Sequence, residues 1–458
     1  MNSKEIKMSC YGKNDGEDKI SSLPDDILLK ILSFLPTKYA VCTSLLSTRW
    51  KEVWTSIPDL DICDQLLHTT ERTSADPIVM TMFMDFVDRV LLLHDPPSLN
   101  KFHLLCATNT NYSTTRFRKW LSTVLNRRVR ELVITISLDL AFTFPRCFFS
   151  CESLAVLRLD FDFDGILKVP SWVCLPNLKS LYLNFISICG EQSVQNTVFS
   201  FPVLEEFSVS TFRWFELSVV DIYVPVLKKL VIDDYPYHRF DAIEQCEINI
   251  YANSLTFLKL TSNLECEYSL HNLSCLVDAI VDIPSTENVE GDRMIKFLGV
   301  LHNVKTLELS YSRIEILSSQ YAFFQLPSFS SLIRLRVIGD SSGFDASCLI
   351  NLLHKLPNVE SLIIEGPHTC NYNVDSMTGE SITGCIVSRL KLLKLGYFNG
   401  SELDLGIARF FLKNALALEN MFVMSSHELS SARMEKEEVK EKLLLLPRGS
   451  TCCVVDLI

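Results

Sequence analysis

A short pattern of apolar residues recurs along most of this 458-residue sequence. Each copy has an apolar residue, two variable residues, a second apolar residue, one variable residue and a third apolar residue. Thirteen copies run from Leu99/Phe102/Leu104 to Leu418/Met421/Val423, with a mean spacing of about 27 residues. One copy alone carries little information because leucine is common, but this regular succession predicts a chain built from repeated structural units.

The spacing lies within the range of leucine-rich repeats, in which each unit contributes one short strand. The apolar residues of such a strand are buried only when neighbouring units stack, so the pattern predicts a solenoid with a curved parallel sheet. Because side chains alternate along a strand, the variable residues are expected on the concave face, which we predict to bind a target protein. The candidate target-binding residues are Arg158, Asp160, Tyr182, Asp278, Asp282, Arg334 and Arg336.

Three short amphipathic helices are predicted before the repeats. The first begins after Pro24 and two acidic residues, which are helix start signals, and it ends at Pro36. A second helix is expected to follow directly, and apolar residues spaced by three and four from Trp50 predict a third. About 40 residues in three helices bury too little surface to be stable alone, so something else must cover the remaining apolar surface.

Composition narrows the class of function. With 48% hydrophobic and 21% charged residues the chain is expected to fold. Its 55 acidic and 43 basic residues give a net charge of −12, which argues against nucleic-acid binding. Residues 1–17 form a polar tail without the apolar core of a secretory signal, and no apolar run is long enough for a membrane span. We therefore expect an intracellular protein of the nucleus, the cytoplasm or both.

The sequence lacks the common motifs of nucleotide, cofactor and metal sites. GxGxxG, GxxxxGK[ST] and HExxH are all absent, which leaves a nucleotide enzyme or a zinc hydrolase without support. The pattern GxSxG occurs once, from Gly339 to Gly343, and one short match does not by itself define a serine hydrolase. The sixteen cysteines are scattered, and the closest pairs, Cys147/Cys151 and Cys452/Cys453, lack the spacing of a zinc site. We interpret them as reduced thiols packed as small hydrophobic side chains, and we expect no enzyme activity, no cofactor and no metal.

The segment from Asp18 to Ile62 closely resembles the F-box, the helical module that docks on the Skp-type adaptor of cullin ubiquitin ligases. The resemblance implies that this segment binds a Skp-type adaptor and, through it, cullin and RING subunits. The implied adaptor-binding residues are Leu23, Pro24, Ile27, Leu28, Ile31, Leu32, Leu35, Pro36, Val41, Leu46, Trp50 and Trp54.

The C-terminal segment resembles the FBD domain found at the end of many plant F-box proteins. A strand-like run, a helical run and the final "LPRGSTCCVVDLI" carry the resemblance. The matching residues are Phe398, Gly400, Ala408, Phe411, Leu412, Asn414, Ala415, Pro447, Arg448 and Ser450. Because an exposed end of a repeat array needs a cap, we predict an α+β capping role for this segment.

Together the resemblances match the plant F-box/FBD/leucine-rich-repeat family. They imply an α/β fold and the non-catalytic substrate-recognition subunit of an SCF-type ubiquitin ligase, which positions a target protein for ubiquitination. The predicted domains are a disordered tail at 1–17, the F-box at 18–64, linker helices at 65–96, leucine-rich repeats at 97–384 and the FBD domain at 385–458.

Two other functions remain open from the sequence. The solenoid could be a receptor for a small signalling molecule, which would require a concave cluster of cations and aromatic rings. The nearest candidates are Arg334, Arg336, Phe257 and Tyr182, which lie several repeats apart. The chain could also be an interaction scaffold whose F-box-like helices do not engage the adaptor.

Overall fold

The computed structural model describes most of the chain. The described residues are 20, 22–67, 77–95, 99–106, 112–137, 142–191, 194–234, 246–264, 266–283, 291–310, 325–339, 346–366, 384–426 and 433–458. The predicted disordered tail at 1–17 lies outside them. Among these residues, no helix combines the length and the apolar character needed to cross a membrane.

The N-terminal region forms three short helices. They are α1 (Asp25–Leu32), α2 (Thr37–Cys42), which continues into a 3₁₀ turn (Thr43–Leu45), and α3 (Thr48–Thr55). Pro24 and Pro36 occupy the positions directly before α1 and α2, where a missing backbone N–H costs nothing. The three predicted helices are thus present. The second has only six α-helical residues before the 3₁₀ turn.

Parallel strands follow these helices through the rest of the chain. In chain order they are β1 (Asp59–Cys63), β2 (Lys101–Leu105), β3 (Glu131–Thr135), β4 (Val156–Val169), β5 (Trp172–Cys174), β6 (Ser180–Gly190), β7 (Asn196–Ser200), β8 (Glu206–Phe215), β9 (Val219–Tyr223) and β10 (Lys229–Asp233). They continue with β11 (Glu247–Tyr251), β12 (Phe257–Thr261), β13 (Glu267–His271), β14 (Asp278–Asp282), β15 (Thr306–Ser310), β16 (Arg334–Ile338), β17 (Ser361–Glu365), β18 (Leu392–Phe398), β19 (Asn420–Ser425) and β20 (Val454–Leu457).

These strands form two sheets. Within the described residues, the large sheet has fifteen strands in the order β1-β2-β3-β4-β6-β8-β10-β12-β14-β15-β16-β17-β18-β19-β20. Every pairing is parallel, so each strand is one step of a solenoid. The small sheet, β13-β11-β9-β7-β5, is formed by the segments that return between the strands of the middle repeats. This second sheet was not predicted from the sequence.

Helices replace the small sheet toward both ends of the array. They are α4 (Pro77–Leu93), α5 (Thr114–Asn126), α6 (Gly291–Val300), α7 (Ala346–Leu353), α8 (Gly384–Ser388), α9 (Glu402–Asn414) and α10 (Arg433–Leu444). Strands β18, β19 and β20 alternate with α9 and α10 and extend the large sheet. The predicted α+β segment at the C-terminus is therefore continuous with the solenoid sheet.

The core lies behind the large sheet and is built from the repeated apolar residues. Each of the thirteen copies of the pattern coincides with one strand of the large sheet, and its apolar residues are buried. Leu393 and Leu395 on β18, for example, are fully buried, whereas Leu392 and Lys394 beside them are only half-buried. The predicted leucine-rich-repeat fold with a parallel sheet is confirmed.

Close backbone packing at the end of β17 generates a stability prediction. Gly366 has a φ of +140°, and a Cβ placed there would lie 2.5 Å from Cα of Gly339 in the neighbouring repeat. We expect Gly366→Ala to destabilise the array by about 1–3 kcal/mol, because both the backbone angle and the contact oppose a side chain.

The measurement is the thermal unfolding midpoint, and Gly384→Ala is the matched control. A Cβ at Gly384, the first residue of α8, would meet nothing within 4 Å, so we expect a change of no more than about 1 kcal/mol. Equal midpoints for the two variants would contradict the close approach of the two backbones.

Candidate functional site

The first helices carry many exposed apolar side chains, which we call the N-terminal apolar surface. Its members are 38% to 87% exposed, well beyond what the core of a folded module shows. They are Ile27, Ile31, Phe34, Leu35, Tyr39, Leu45 and Leu46. A concentration of this kind within one short segment is typical of a site that binds another protein.

Helix α1 shows how the exposed and buried sides arise. Its only polar residues are Asp25, Asp26 and Lys30, so apolar side chains point in more than one direction. Leu28 and Leu32, four residues apart, are buried in the chain's own core. Ile27 and Ile31 follow the same spacing one residue earlier and are exposed. The chain thus covers one side of α1 and leaves the other uncovered.

The twelve predicted adaptor-binding residues fall into three groups. Those exposed on the surface are Pro24, Ile27, Ile31, Leu35 and Leu46. Those partly buried are Leu23, Pro36 and Val41. Those buried in the chain's own core are Leu28, Leu32, Trp50 and Trp54.

The burial of the last group changes their interpretation. A side chain at 6% exposure or less cannot contact a partner in this conformation, so these four residues hold the module together. The resemblance had implied adaptor contact because these positions belong to the motif as a whole. Phe34, Tyr39 and Leu45 were not among the predicted adaptor-binding residues, yet they are exposed apolar residues of the module.

An ion pair fixes α1 against α3. Nε of Arg49 donates to Oδ1 of Asp25 over 2.9 Å, and one terminal nitrogen donates to the same oxygen over 2.6 Å. That nitrogen also donates to the carbonyl of Leu23. These contacts hold the start of α1 in place and so set the direction in which Ile27 and Ile31 point.

A buried histidine joins the helical module to the solenoid. Nε2 of His94, directly after α4, lies 2.7 Å from the carbonyl oxygen of Ile57, and Nδ1 lies 2.8 Å from a guanidinium nitrogen of Arg127. The Arg127 side chain also donates to the carbonyl of Leu91. Since Arg127 can only donate, Nδ1 accepts and Nε2–H donates, which requires a neutral imidazole.

Burial lowers the pKa of His94 below its ordinary value because the charged imidazolium would be poorly solvated. The hydrogen bond to Ile57 opposes this shift, and the positive charge of Arg127 adds to it. The neutral form that the two hydrogen bonds require is therefore also the form that the surroundings favour.

The second candidate surface is the open face of the large sheet, which is the side away from the core. All seven predicted target-binding residues lie on large-sheet strands at positions that alternate with buried ones. Arg158, Asp160 and Tyr182 lie on β4 and β6, Asp278 and Asp282 lie on β14, and Arg334 and Arg336 lie on β16. All seven therefore lie on the side of the sheet away from the core, and target binding stays a prediction.

Several open-face residues are engaged with neighbouring strands. The guanidinium of Arg158 lies 4.4 Å from the ring centre of Tyr182, whose hydroxyl donates to Glu206. That hydrogen bond raises the pKa of Tyr182. Asn184 donates to Asp160 over 3.1 Å. These contacts organise the face from strand to strand.

Arg336 lies in a row of alternating charges. It donates to Glu308 over 2.9 Å and to Glu365 over 2.6 Å, and Lys394 lies 3.6 Å from Glu365. Burial opposes ionisation of Glu365, but the hydrogen bonds and positive charges of Arg336 and Lys394 together outweigh it and lower the pKa of Glu365. Arg336 is therefore already compensated by its neighbours.

The residues considered for a small-molecule pocket are not brought together. Tyr182 on β6 and Arg336 on β16 are six strands apart, which at about 4.8 Å per strand is about 29 Å. Phe257 lies on β12 between them. In the described part of the chain, no group of three or more metal-ligating side chains occurs.

Fold and surfaces together define a class: a parallel-strand solenoid that begins with a helical docking module. The F-box domain matches residues 20–61, and the FBD matches residues 380–423. Two F-box/FBD/LRR-repeat proteins of Arabidopsis thaliana are each 31% identical to this chain. Both alignments cover 95% of this chain, and they cover 93% and 98% of the two relatives. An F-box/LRR-repeat protein of the same plant is 32% identical over 76% of this chain and 92% of its own. The chain belongs to the F-box/FBD/LRR-repeat protein family.

The two sides of α1 generate a stability prediction. Leu28→Ala should lower the free energy of unfolding of the helical module by about 2–5 kcal/mol, because it leaves a cavity in the core. Ile31→Ala, a matched truncation at a residue 42% exposed, should cost less than about 1 kcal/mol. Urea unfolding of both variants is the measurement, and equal losses would contradict the assignment of the two sides.

The neutral state of His94 generates a pH prediction. Because its folded pKa lies below the ordinary 6.5, the unfolded chain takes up the proton first as the pH falls. The stability from this site is thus complete above about pH 6.5 and is lost as the pH falls through that value toward the folded pKa.

The measurement compares the native chain with His94→Gln, whose amide donates to Ile57 without titrating. The unfolding midpoint of the native chain should fall further between about pH 7.5 and 5.5 than that of the variant. Identical pH dependence in the two proteins would show that His94 does not contribute.

Proposed function

We propose that this protein is the substrate-recognition subunit of an SCF-type ubiquitin ligase. The observation that carries the proposal is the N-terminal apolar surface on an F-box whose other side is sealed against the solenoid. In water this surface is unfavourable, and a Skp-type adaptor that covers it would gain the free energy of its burial. Through the adaptor, the chain would join cullin and RING subunits.

The open face of the large sheet supplies the second half of the proposal. Its exposed side chains differ from strand to strand, so the face offers a long and specific surface for a target protein. In the described residues, Asp278, Asp282 and Arg334 have no ion pair and are available for contact. In this proposal the conjugating enzyme, and not this chain, carries out ubiquitin transfer. This chain contributes position, because holding a target near the conjugating enzyme raises the effective concentration of its lysines.

The adaptor experiment uses a double variant. Ile27→Asp/Ile31→Asp should reduce binding to a purified Skp-type adaptor by at least about 100-fold, because two charges would be buried in an apolar interface. Binding is measured by calorimetry with the full chain. The unfolding midpoint should stay within a few degrees of the native value because both side chains are already solvent-exposed.

The matched control is Val203→Asp/Val226→Asp, at residues 37% and 39% exposed in turns of the solenoid, which should bind the adaptor normally. If the two double variants bind equally well, the N-terminal apolar surface is not the docking site. If the native chain does not bind the adaptor at all, the ligase assignment fails and the scaffold alternative is favoured.

A further inference from the structure

The two edges of the large sheet differ in how they are covered. At β1, the backbone N–H of Asp61 donates to the hydroxyl of the fully buried Thr37 over 2.8 Å, and Lys38 donates to the carbonyl of Leu66. The helical module therefore covers this edge. At the other edge, β20 pairs with β19, and no further strand in the described part of the chain pairs beyond it.

The hydrogen bonds of β20 identify which backbone groups point away from the sheet. The N–H of Val454 donates to the carbonyl of Glu419, the residue before β19, and the N–H of Ile458 donates to the carbonyl of Val423 on β19. The carbonyl of Ile458 accepts from the N–H of Ser425. Because these groups alternate along a parallel strand, those of Val455 and Leu457 point outward. The carbonyl of Cys453, just before the strand, accepts from Arg448 over 2.8 Å. Among the described residues, the backbone donors and acceptors of Val455 and Leu457 have no hydrogen-bond partner.

Apolar side chains accompany the free backbone groups. Val454 and Ile458 are 53% and 55% exposed, and Val455 and Leu457 are partly buried against the end of the core. Leu444 and Leu445 are also exposed, at the end of α10, the helix that packs on β20. An uncovered edge with this composition can be paired by an added strand.

The negative charge of Asp456 determines which added strand is favoured at the edge of β20. Asp456 is exposed between Val454 and Ile458, and its carboxylate forms no ion pair within the described part of the chain. If β20 of a second copy paired antiparallel with β20 through these outward groups, Val455 of each copy would lie opposite Leu457 of the other. This register would place Asp456 opposite the same residue of the other copy, which is repulsive. A strand with a basic residue opposite Asp456 would be attracted.

We propose that the free edge of β20 binds an extended segment of a partner protein as an additional strand. The segment carries lysine or arginine opposite Asp456, with apolar residues on both sides. Identifying that partner as a protein brought for ubiquitination rests on the proposed function, whereas the binding site itself does not.

The probe is the acetylated and amidated peptide Ser-Ile-Val-Lys-Val-Ile-Ser, whose symmetrical pattern fits either strand direction. Its control replaces lysine with glutamate. Isothermal titration calorimetry with the full chain should give about tenfold tighter binding for the lysine peptide. In Asp456→Lys the preference should reverse, so that the glutamate peptide binds more tightly. Equal binding of the two peptides to the native chain, or no binding of either, would overturn the proposal.

A backbone variant tests the hydrogen bonds separately. Val455→Pro removes one outward N–H and leaves the pairing with β19 intact, so both peptides should bind at least about tenfold more weakly. Val455→Thr keeps that N–H and should retain binding. An unchanged unfolding midpoint and normal adaptor binding show that the variants are folded. If Val455→Pro does not weaken binding, or if it only abolishes self-association of the chain, the proposed occupant is wrong.

The outcomes separate this proposal from the proposed function. Adaptor binding is measured at the N-terminal apolar surface, at the opposite end of the sheet from β20. Loss of adaptor binding with charge-selective peptide binding intact would overturn only the ligase assignment. Normal adaptor binding without charge-selective peptide binding would overturn only the edge site.

Discussion

The structure depends on the fact that a single five-residue strand cannot bury its own apolar side chains. Leu60 and Ile62 on β1 are buried because β2 lies on one side and the helical module covers the other. The first strand of the array thus needs the F-box as much as the F-box needs the array. Within the module, α1 packs on α3, and α2 packs on β1. The buried side of α1 therefore completes the core of the module, and the other side remains for a partner.

A module seated in this way has a defined orientation. His94 ties the end of α3 to α4 and Arg127, and the N–H of Asn100 donates to the carbonyl of Pro58 over 2.8 Å. These contacts connect the helices that carry the N-terminal apolar surface to the first strands of the open face. In a ligase that works by positioning, a fixed relation between the two surfaces determines where a bound target lies.

The repeats could be predicted from the sequence because each strand must bury apolar side chains at the same three positions. These positions recur at regular spacing, which made the pattern recognisable. The two end strands were missed although they fit the pattern. Ile57/Leu60/Ile62 and Cys452/Val455/Leu457 show the same arrangement, but both stand farther from their neighbours than the internal repeats do. The small sheet was also missed, although Val220, Ile222 and Val224 alternate as a half-buried strand requires. Which side of α1 faces outward could not be predicted, since Ile27 and Leu28 are equally apolar and only the packing of the folded module distinguishes them.

Amide hydrogen exchange of the full chain, with and without a Skp-type adaptor, shows where the adaptor docks. We expect the adaptor to slow exchange within residues 25–55 and to leave exchange in the strands of the open face unchanged. Protection confined to the open face, or unchanged exchange in α1, α2 and α3 when the adaptor is bound, would contradict docking at the N-terminal apolar surface.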